Sequence, residues 1–444
     1  MNRLAMIAAV LGILAAPAVQ AAERFALPQF KSGYARPTPT TPSPRADAYE
    51  FIDVAVLAAA LALASYLAIR VRSRRWLWVL MAASLAYFGL WRGGCVCSIG
   101  SIQNVAMALF DNGYAIPLSV ALFFFLPLLF TLFVGRTFCA AVCPLGALQD
   151  IVLVRPLKVP AWLEHTLGLL AYVYLGAGVL FAATGSAFLI CEYDPFVSFF
   201  RLLPISRPGV AADAFGGSTS MLILGGCFIA AGLFIGRPYC RWLCPYGAIL
   251  KLLARAAKWR VAITPDECVR CRLCEDSCPF GAIRKPTLDE PRGNLRIDRR
   301  RLALLLALAA PVLLFGGGLG WQLGRPFARM HYTVRLADRV HLEDAGKVDG
   351  TVDMTDAFYS ADGDRQKLDR DAAAIEREFL RGGALVGVWV GLVALVKMVH
   401  LSIRRRRTDY EPDPATCVSC GRCFVYCPIE RERIKKRGGV PPKP

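Results

Sequence analysis

Charge and histidine are scarce in this sequence. Only 19% of its 444 residues are charged, and it has four histidines. A chain of this length has room for two or three soluble domains. Its 55% hydrophobic content and mean hydropathy of +0.43 exclude that class and point to a membrane protein. Few histidines leave little for haem. His165 and His400 fall near the ends of apolar segments, but no second pair occupies facing helices. Acidic residues are the scarcer sign, 34 against 52 basic, giving a net charge of +18. No basic helix with groove-reading spacing accompanies that charge, so nucleic acid is excluded as a partner. The arginines sit instead in short runs at 70–75, 296–301 and 404–407, flanking apolar segments. Such runs set membrane orientation and contact anionic lipid.

Cysteine is abundant, with 16 residues, and half of them fall into two copies of one pattern. The first is Cys268-x2-Cys271-x2-Cys274-x3-Cys278-Pro279; the second is Cys417-x2-Cys420-x2-Cys423-x3-Cys427-Pro428. This is the spacing that binds [4Fe–4S] clusters in bacterial two-cluster ferredoxins. Three thiolates on one loop hold three corners of a cube, and the cysteine before proline serves the other cube. The expected ligand sets are therefore Cys268, Cys271, Cys274 and Cys427 for one cluster, and Cys417, Cys420, Cys423 and Cys278 for the other. A zinc ribbon also uses CxxC pairs, but needs neither the third cysteine nor the proline.

Taken in order, residues 1–22 read as a signal peptide or a first helix: Arg3, an apolar stretch from Leu4 to Ala16, then Val19-Gln20-Ala21. Residues 23–50 are Pro-rich and read as an extended periplasmic segment. Seven apolar segments follow, at about 51–70, 76–91, 115–134, 166–184, 218–235, 302–323 and 384–403, each near the ~20 residues that span a bilayer. Starting outside, the loops at 70–75, 135–165, 236–301 and 404–444 fall in the cytoplasm, where their arginines belong. The stretch 324–383 has no cysteine and reads as a small folded periplasmic excursion. The two ferredoxin halves, 261–301 and 404–444, are separated by the spans 302–323 and 384–403. Two crossings return the chain to the same side, so the halves can meet. The expected fold is mainly α: a polytopic helical membrane protein of the bacterial inner membrane. Its cytoplasmic two-cluster ferredoxin-like α+β domain is assembled from two separated segments.

A second repeat lies in the membrane core, residues 51–260. Gly135-Arg136-Thr137-Phe138-Cys139-x3-Cys143-Pro144 matches Gly236-Arg237-Pro238-Tyr239-Cys240-x3-Cys244-Pro245, at an offset of 101 from Cys139 to Cys240 and from Cys143 to Cys244. The core thus reads as duplicated helical hairpins. On a helix each cysteine pair is i, i+4, on one face. Together Cys139, Cys143, Cys240 and Cys244 are expected to make a four-thiolate site for a further Fe–S cluster or soft metal, next to the ferredoxin domain. Cys95, Cys97 and Cys191 fall in the outward loops, as a disulfide or as an outward redox or metal site. Cys227 lies mid-span and is expected in the core. Glu192, Tyr193 and Asp194, beside Phe196, Phe199 and Phe200, offer a quinol headgroup an acidic pair among aromatics.

The duplicated C-x3-CP motifs followed by two ferredoxin motifs resemble the polyferredoxin-like membrane proteins typified by NosR and NapH, over roughly residues 25–435. The segment Phe25 to Tyr34 and the split ferredoxin are closer to the NosR type. The resemblance implies electron movement between a quinone or cytoplasmic donor and a periplasmic redox partner. NosR-type proteins support nitrous-oxide reductase in denitrification, and NapH-type proteins periplasmic nitrate reductase. Residues 23–50 are too short for the FMN-bearing periplasmic domain of NosR, and Thr184-Gly185-Ser186 lacks the acidic residue of a flavin attachment motif. The resemblance therefore implies no FMN on this chain and a separate flavoprotein partner. The alternative readings are a copper-handling or metalloenzyme assembly factor, which needs Cys95, Cys97 or Cys191 as thiols, and a membrane regulatory protein.

Overall fold

Long runs of Leu, Ala and Val have no way to satisfy their backbone in lipid except as helices, and helices dominate the chain. The structure, a computed structural model, describes residues 47–94, 97–111, 113–201, 219–263, 268–287, 295–360, 363–403 and 406–436. The expected leader, most of the extended segment, the Phe25 to Tyr34 stretch and Cys95 lie outside these residues. Among the described residues four helices are long and apolar enough to cross a membrane: Ala48–Val71, Ala161–Ala183, Arg299–Ala328 and Arg365–Ser402.

The other three expected spans are shorter or less regular. Residues 76–91 become the helix Arg74–Ser84, continued by π-type turns over Leu85–Trp91. The next is Leu118–Val134, with 17 residues, and the third is Thr219–Gly232, with 14. At 1.5 Å per residue, 14 residues reach only about 21 Å, short of a ~30 Å hydrocarbon core. The repeat motif itself cuts these helices. Gly135 sits at φ +78 directly after Val134, a backbone state open to glycine and closed to a continuing helix. In the second copy Pro238 opens a new five-residue turn, Pro238–Trp242. Two short apolar helices that hydropathy had not marked, Ser101–Phe110 and Pro245–Ala254, fill the space between the spans.

One core joins these elements. It runs from Leu57, Leu61 and Ala64 of the first span through Phe88, Phe138 and Tyr246 to Phe424 of the second ferredoxin half. The helices Ala309–Ala328 and Arg365–Ser402 lie at its edge, the second touching it through Trp389 and Val393. Only 6% and 11% of their apolar windows are buried within the chain, so their outer surface is left for lipid. They hold each other through glycines: Gly316, Gly320 and Gly324 face Gly383 and Gly387 so closely that a side chain would strike the opposing backbone.

Between these two helices, Tyr332–Asp344 and Asp353–Ser360 pack on the start of the last one. Val334, Ala337 and Val340 meet Leu368 and Ala372 in a separate small core. His331 caps the first of these helices by accepting from the Thr333 N–H at 3.1 Å. Asp364 caps the long helix, accepting from Gln366 at 2.9 Å. The segment 384–403 is thus the far end of one 38-residue helix, Arg365–Ser402, about 57 Å long at 1.5 Å per residue.

The two ferredoxin halves meet through a short antiparallel ladder. Ile283 pairs with Pro412 and Arg284 with Glu411. Beside it, the turn helices Leu273–Asp276 and Arg422–Tyr426 pack together.

Candidate functional site

Both ferredoxin loops are wound the same way. In the first, Arg270 and Arg272 take positive φ (53 and 64); in the second, Ser419 and Gly421 do so at the same motif positions (56 and 74). A left-handed arginine is strained and persists only where its surroundings require it. Alternating right- and left-handed residues turn successive N–H groups into one concavity, the kind of nest that holds Fe–S clusters.

The cysteines of the two halves lie close together. Burial, then the neighbouring thiols Cys427, Cys268 and Cys271, push the Cys274 thiol up to about 12. Cys417 is pushed up to about 12 by burial and then by Cys420 and Cys278. Cys423 is raised further by burial, Cys417, Cys420 and Cys278. The structure thus brings Cys427 to the first loop and Cys278 to the second. Thiolates this crowded repel one another, and cationic iron relieves that repulsion, because a coordinating thiol is deprotonated outright. These residues fit a pair of [4Fe–4S] clusters. Among the described residues no three His, Cys, Asp or Glu side chains form a group able to hold a single metal ion.

The C-x3-CP cysteines also meet, but not as expected. They do not share one helix. Cys139 lies in a π-type turn, Phe138–Val142, and Cys143 is extended at φ −70, ψ 118 before the new helix Pro144–Ile151. Cys240 lies in Pro238–Trp242, and Cys244 caps Pro245–Ala254. Proline is the cause: it forbids helical backbone in the residue before it and suits the first position of the helix it starts. The Cys244 sulfur then accepts from the Gly247 N–H at 3.2 Å. Even so, Cys139, Cys240 and Cys244 all lie within electrostatic reach of Cys143. Gln149 Nε2 donates to the Cys240 sulfur at 3.3 Å and Arg136 to the Cys139 sulfur at 3.6 Å. Cys139 also packs against the apolar cluster of Phe280 and Val418, to which Cys278 and Cys417 belong as well.

The glycine and arginine of each repeat dock one ferredoxin half. A side chain on Gly236 would meet Pro279 at 3.0 Å, while Gly135 faces Ser419 at 4.0 Å. Arg237 lies over the Phe280 ring at 5.6 Å; its counterpart Arg136 donates to the Ala415 carbonyl at 3.1 Å. Asp150 is the hub between them. It is 3% exposed and takes Arg74, Arg237 at 3.6 Å and Arg422 at 3.4 Å. Burial alone would raise its carboxyl, but Arg237, Arg74 and Arg422 hold it well below the usual carboxylate range. Neither Gln149 nor Asp150 was marked from the sequence. Comparing the copies would have found them: Gln149-Asp150 stands where the second copy has Leu250-Lys251.

On the far side of these thiols Cys97, Cys191 and Asp194 line a cavity of about 340 Å³, with Asp53, Arg92 and Asn104. No disulfide joins two cysteines among the described residues, so Cys97 and Cys191 are not bonded to each other. Cys97 also lines a smaller space shared with Phe138 and Cys143, and so stands between the outer cavity and the C-x3-CP site. Burial pushes the Asp194 carboxyl up to about 6, although the Phe196 N–H donates to it at 2.9 Å. The expected headgroup cluster is split. Glu192 and Tyr193 are exposed, Asp194 turns into the cavity, and Phe196 and Phe200 are buried in the core. Cys227 is exposed rather than in the core. Its helix, Thr219–Gly232, packs through Gly225 against Phe199, which turns the cysteine outward.

Four apolar helices and two nested cysteine loops define a helical, membrane-type protein with ferredoxin-like iron–sulfur domains. A 4Fe–4S binding domain family matches residues 116–161 and again 218–263, the two C-x3-CP copies; a second 4Fe–4S binding domain family matches 261–284. Protein NirI of Paracoccus denitrificans is 34% identical over 168 residues, 34% of this chain and 22% of NirI. Regulatory protein NosR of Pseudomonas aeruginosa is 28% identical over 223 residues, 46% of this chain and 29% of NosR. Ferredoxin-type protein NapH of Escherichia coli is 30% identical over 165 residues, 35% of this chain and 52% of NapH. The chain therefore spans about half or less of each of these relatives. It resembles the NosR/NapH-type ferredoxin-like 4Fe–4S membrane proteins. No solved structure matches it.

Proposed function

We propose that this chain is an inner-membrane electron carrier linking a cytoplasmic or quinol donor to a periplasmic redox partner, with its ferredoxin domain in the cytoplasm. In this reading Cys268, Cys271, Cys274 and Cys427 hold one [4Fe–4S] cluster, and Cys417, Cys420, Cys423 and Cys278 the other. Cys139, Cys143, Cys240 and Cys244 hold a third redox centre. The clusters, when bound, supply one-electron carriers whose potentials respond to burial and to hydrogen bonds at sulfur. The chain supplies those bonds from Arg136 and Gln149, and keeps water out with Phe280, Val418 and Tyr246.

One observation carries the reading: Cys97 lines both the outer cavity and the space beside Cys143, and Cys139 packs in one apolar cluster with Cys278, Cys417 and Cys420. A chain of closely spaced sites suits transport across the membrane better than a reaction at one surface. The family's link to denitrification makes a periplasmic reductase or an intervening flavoprotein the natural acceptor, with no FMN on this chain. EPR of anaerobically purified protein, with iron and sulfide counts, tests the reading. About eight irons per chain are expected from the ferredoxin motifs, and about twelve if the third centre is a cube. Fewer than about four, or zinc instead, would overturn it.

A second reading is an assembly factor that reduces or delivers copper. Cys97 and Cys191, which are not bonded to each other and line a cavity with Asp194, favour it. Copper bound in proportion to protein, and lost in Cys97→Ser, would decide for it. The regulatory reading has no DNA-binding element to support it.

A further inference from the structure

A second, larger cavity of about 480 Å³ lies where the Arg365–Ser402 helix ends against the two-stranded ladder. Five arginines line it: Arg255, Arg260, Arg284, Arg406 and Arg407. Asp413 pairs with Arg284 at 2.7 Å, and Glu411 lies 3.9 Å from Arg407. Arg255, Arg260 and Arg406 have no carboxylate partner among the described residues. Arg255, Arg260 and Arg406 are exposed, and gathered round one cavity they give it a positive potential that favours an anion. Guanidiniums fit phosphate in particular, because their planar forks donate to two oxygens at once.

The rest of the lining says which phosphate. Leu401 and Ile403 also line the cavity, and they are 49% and 54% exposed. They stand at the end of a helix long and apolar enough to span a bilayer, at the level where phospholipid headgroups lie. A phosphodiester there would meet the arginines while its acyl chains ran back along the helix. A free phosphate would leave the two apolar side chains in water.

We infer that this cavity binds the phosphate of an anionic membrane phospholipid, at the joint between the last span and the ladder that unites the ferredoxin halves. The walls come from four separate parts of the chain: the segment after the second repeat, the first ferredoxin half, the helix end and the second half. A bound phosphate would tie them together. The inference rests on reading Arg365–Ser402 as a membrane span.

The test uses the full chain, purified anaerobically in detergent and titrated with phosphatidylglycerol or phosphatidylcholine, with retained lipid counted by native mass spectrometry. Phosphatidylglycerol should be held in preference to phosphatidylcholine. The triple variant Arg255→Gln, Arg260→Gln, Arg406→Gln should bind it roughly 100-fold more weakly, at ~1 kcal/mol per arginine. Glu411→Gln should bind it about fivefold more tightly, for the same reason with opposite sign. This opposite response decides the matter if the triple variant loses its iron and so its fold. Equal retention of the two lipids, or no change in either variant, overturns the proposal. So does complete displacement by inorganic phosphate, which would mark a free-phosphate site. A chain extracted from membranes by carbonate would overturn the span itself, whereas a carbonate-resistant chain without lipid preference would overturn the cavity alone.

Discussion

Asp150 and Arg237 meet 3.6 Å apart, the carboxylate 3% exposed and the arginine 1%. The carboxylate comes from the helix that follows the first C-x3-CP motif, the guanidinium from the start of the second. Arg74 and Arg422 complete the hub, and Arg422 belongs to the second ferredoxin half. Removing the carboxylate leaves Arg237 charged, buried and uncompensated.

Asp150→Asn should therefore destabilise the protein by about 3–5 kcal/mol and loosen the ferredoxin domain from the membrane core. Thermal unfolding followed by cluster absorbance measures both. The pH dependence has a definite sign. A carboxyl held below its usual range contributes stability above ~pH 4, its unfolded pKa, and loses it only as pH falls through the lower folded value. The gap between wild type and variant should be constant from pH 5 to 8. A gap that closes as pH rises through that window would contradict the hub.

Asp194 should behave in the opposite way. Burial raises its carboxyl to about 6, so the folded protein holds a proton that the unfolded chain has lost. Stability should fall as pH rises from about 4 to 6 and then level off, at a total cost of roughly 3 kcal/mol. Asp194→Asn should remove that slope and be more stable than wild type at pH 8. Parallel pH profiles for the two proteins would show that Asp194 is hydrated or paired.

Cys278 lies close to Cys417, Cys420 and Cys423 of the other half. Cys278→Ser should therefore disturb the cluster held mainly by the second motif, and Cys427→Ser the one held by the first. EPR of reduced protein resolves the two signals. A Cys278→Ser variant in which only the first-motif signal changes would reject the crossed arrangement.

Replacing Cys139 and Cys143, or Cys240 and Cys244, with alanine should abolish electron passage across reconstituted vesicles while leaving both ferredoxin signals in place. The volume lost is small, so a packing role alone would leave transport intact. An active four-alanine variant would assign these cysteines to packing.

The ferredoxin halves were legible because their chemistry is written in spacing, and spacing survives folding unchanged. The two copies of the C-x3-CP motif were legible for the same reason. The helix lengths were not. Hydropathy marks where apolar residues lie, but Gly135 and Pro238 decide where helices stop, by backbone geometry that no hydropathy average registers. The i, i+4 reading of Cys139 and Cys143 failed on Pro144, whose effect on the preceding residue was there to be read. Cys227 was misjudged because position along an apolar run does not say which side of the helix faces neighbours. Asp150 was missed because its three arginines come from distant parts of the chain.

The two-rung ladder between Ile283 and Pro412 bears on the order in which the protein is made. A ribosome completes the first cysteine loop long before Glu411 and Cys427 exist. Until then that loop lacks both its strand partner and its fourth thiol. If Cys427 completes the first cluster as proposed, iron loading waits for the last stretch of chain, after both proposed final spans have been made. A protein stalled or misinserted partway would stay unloaded, so the presence of iron reports that insertion has finished.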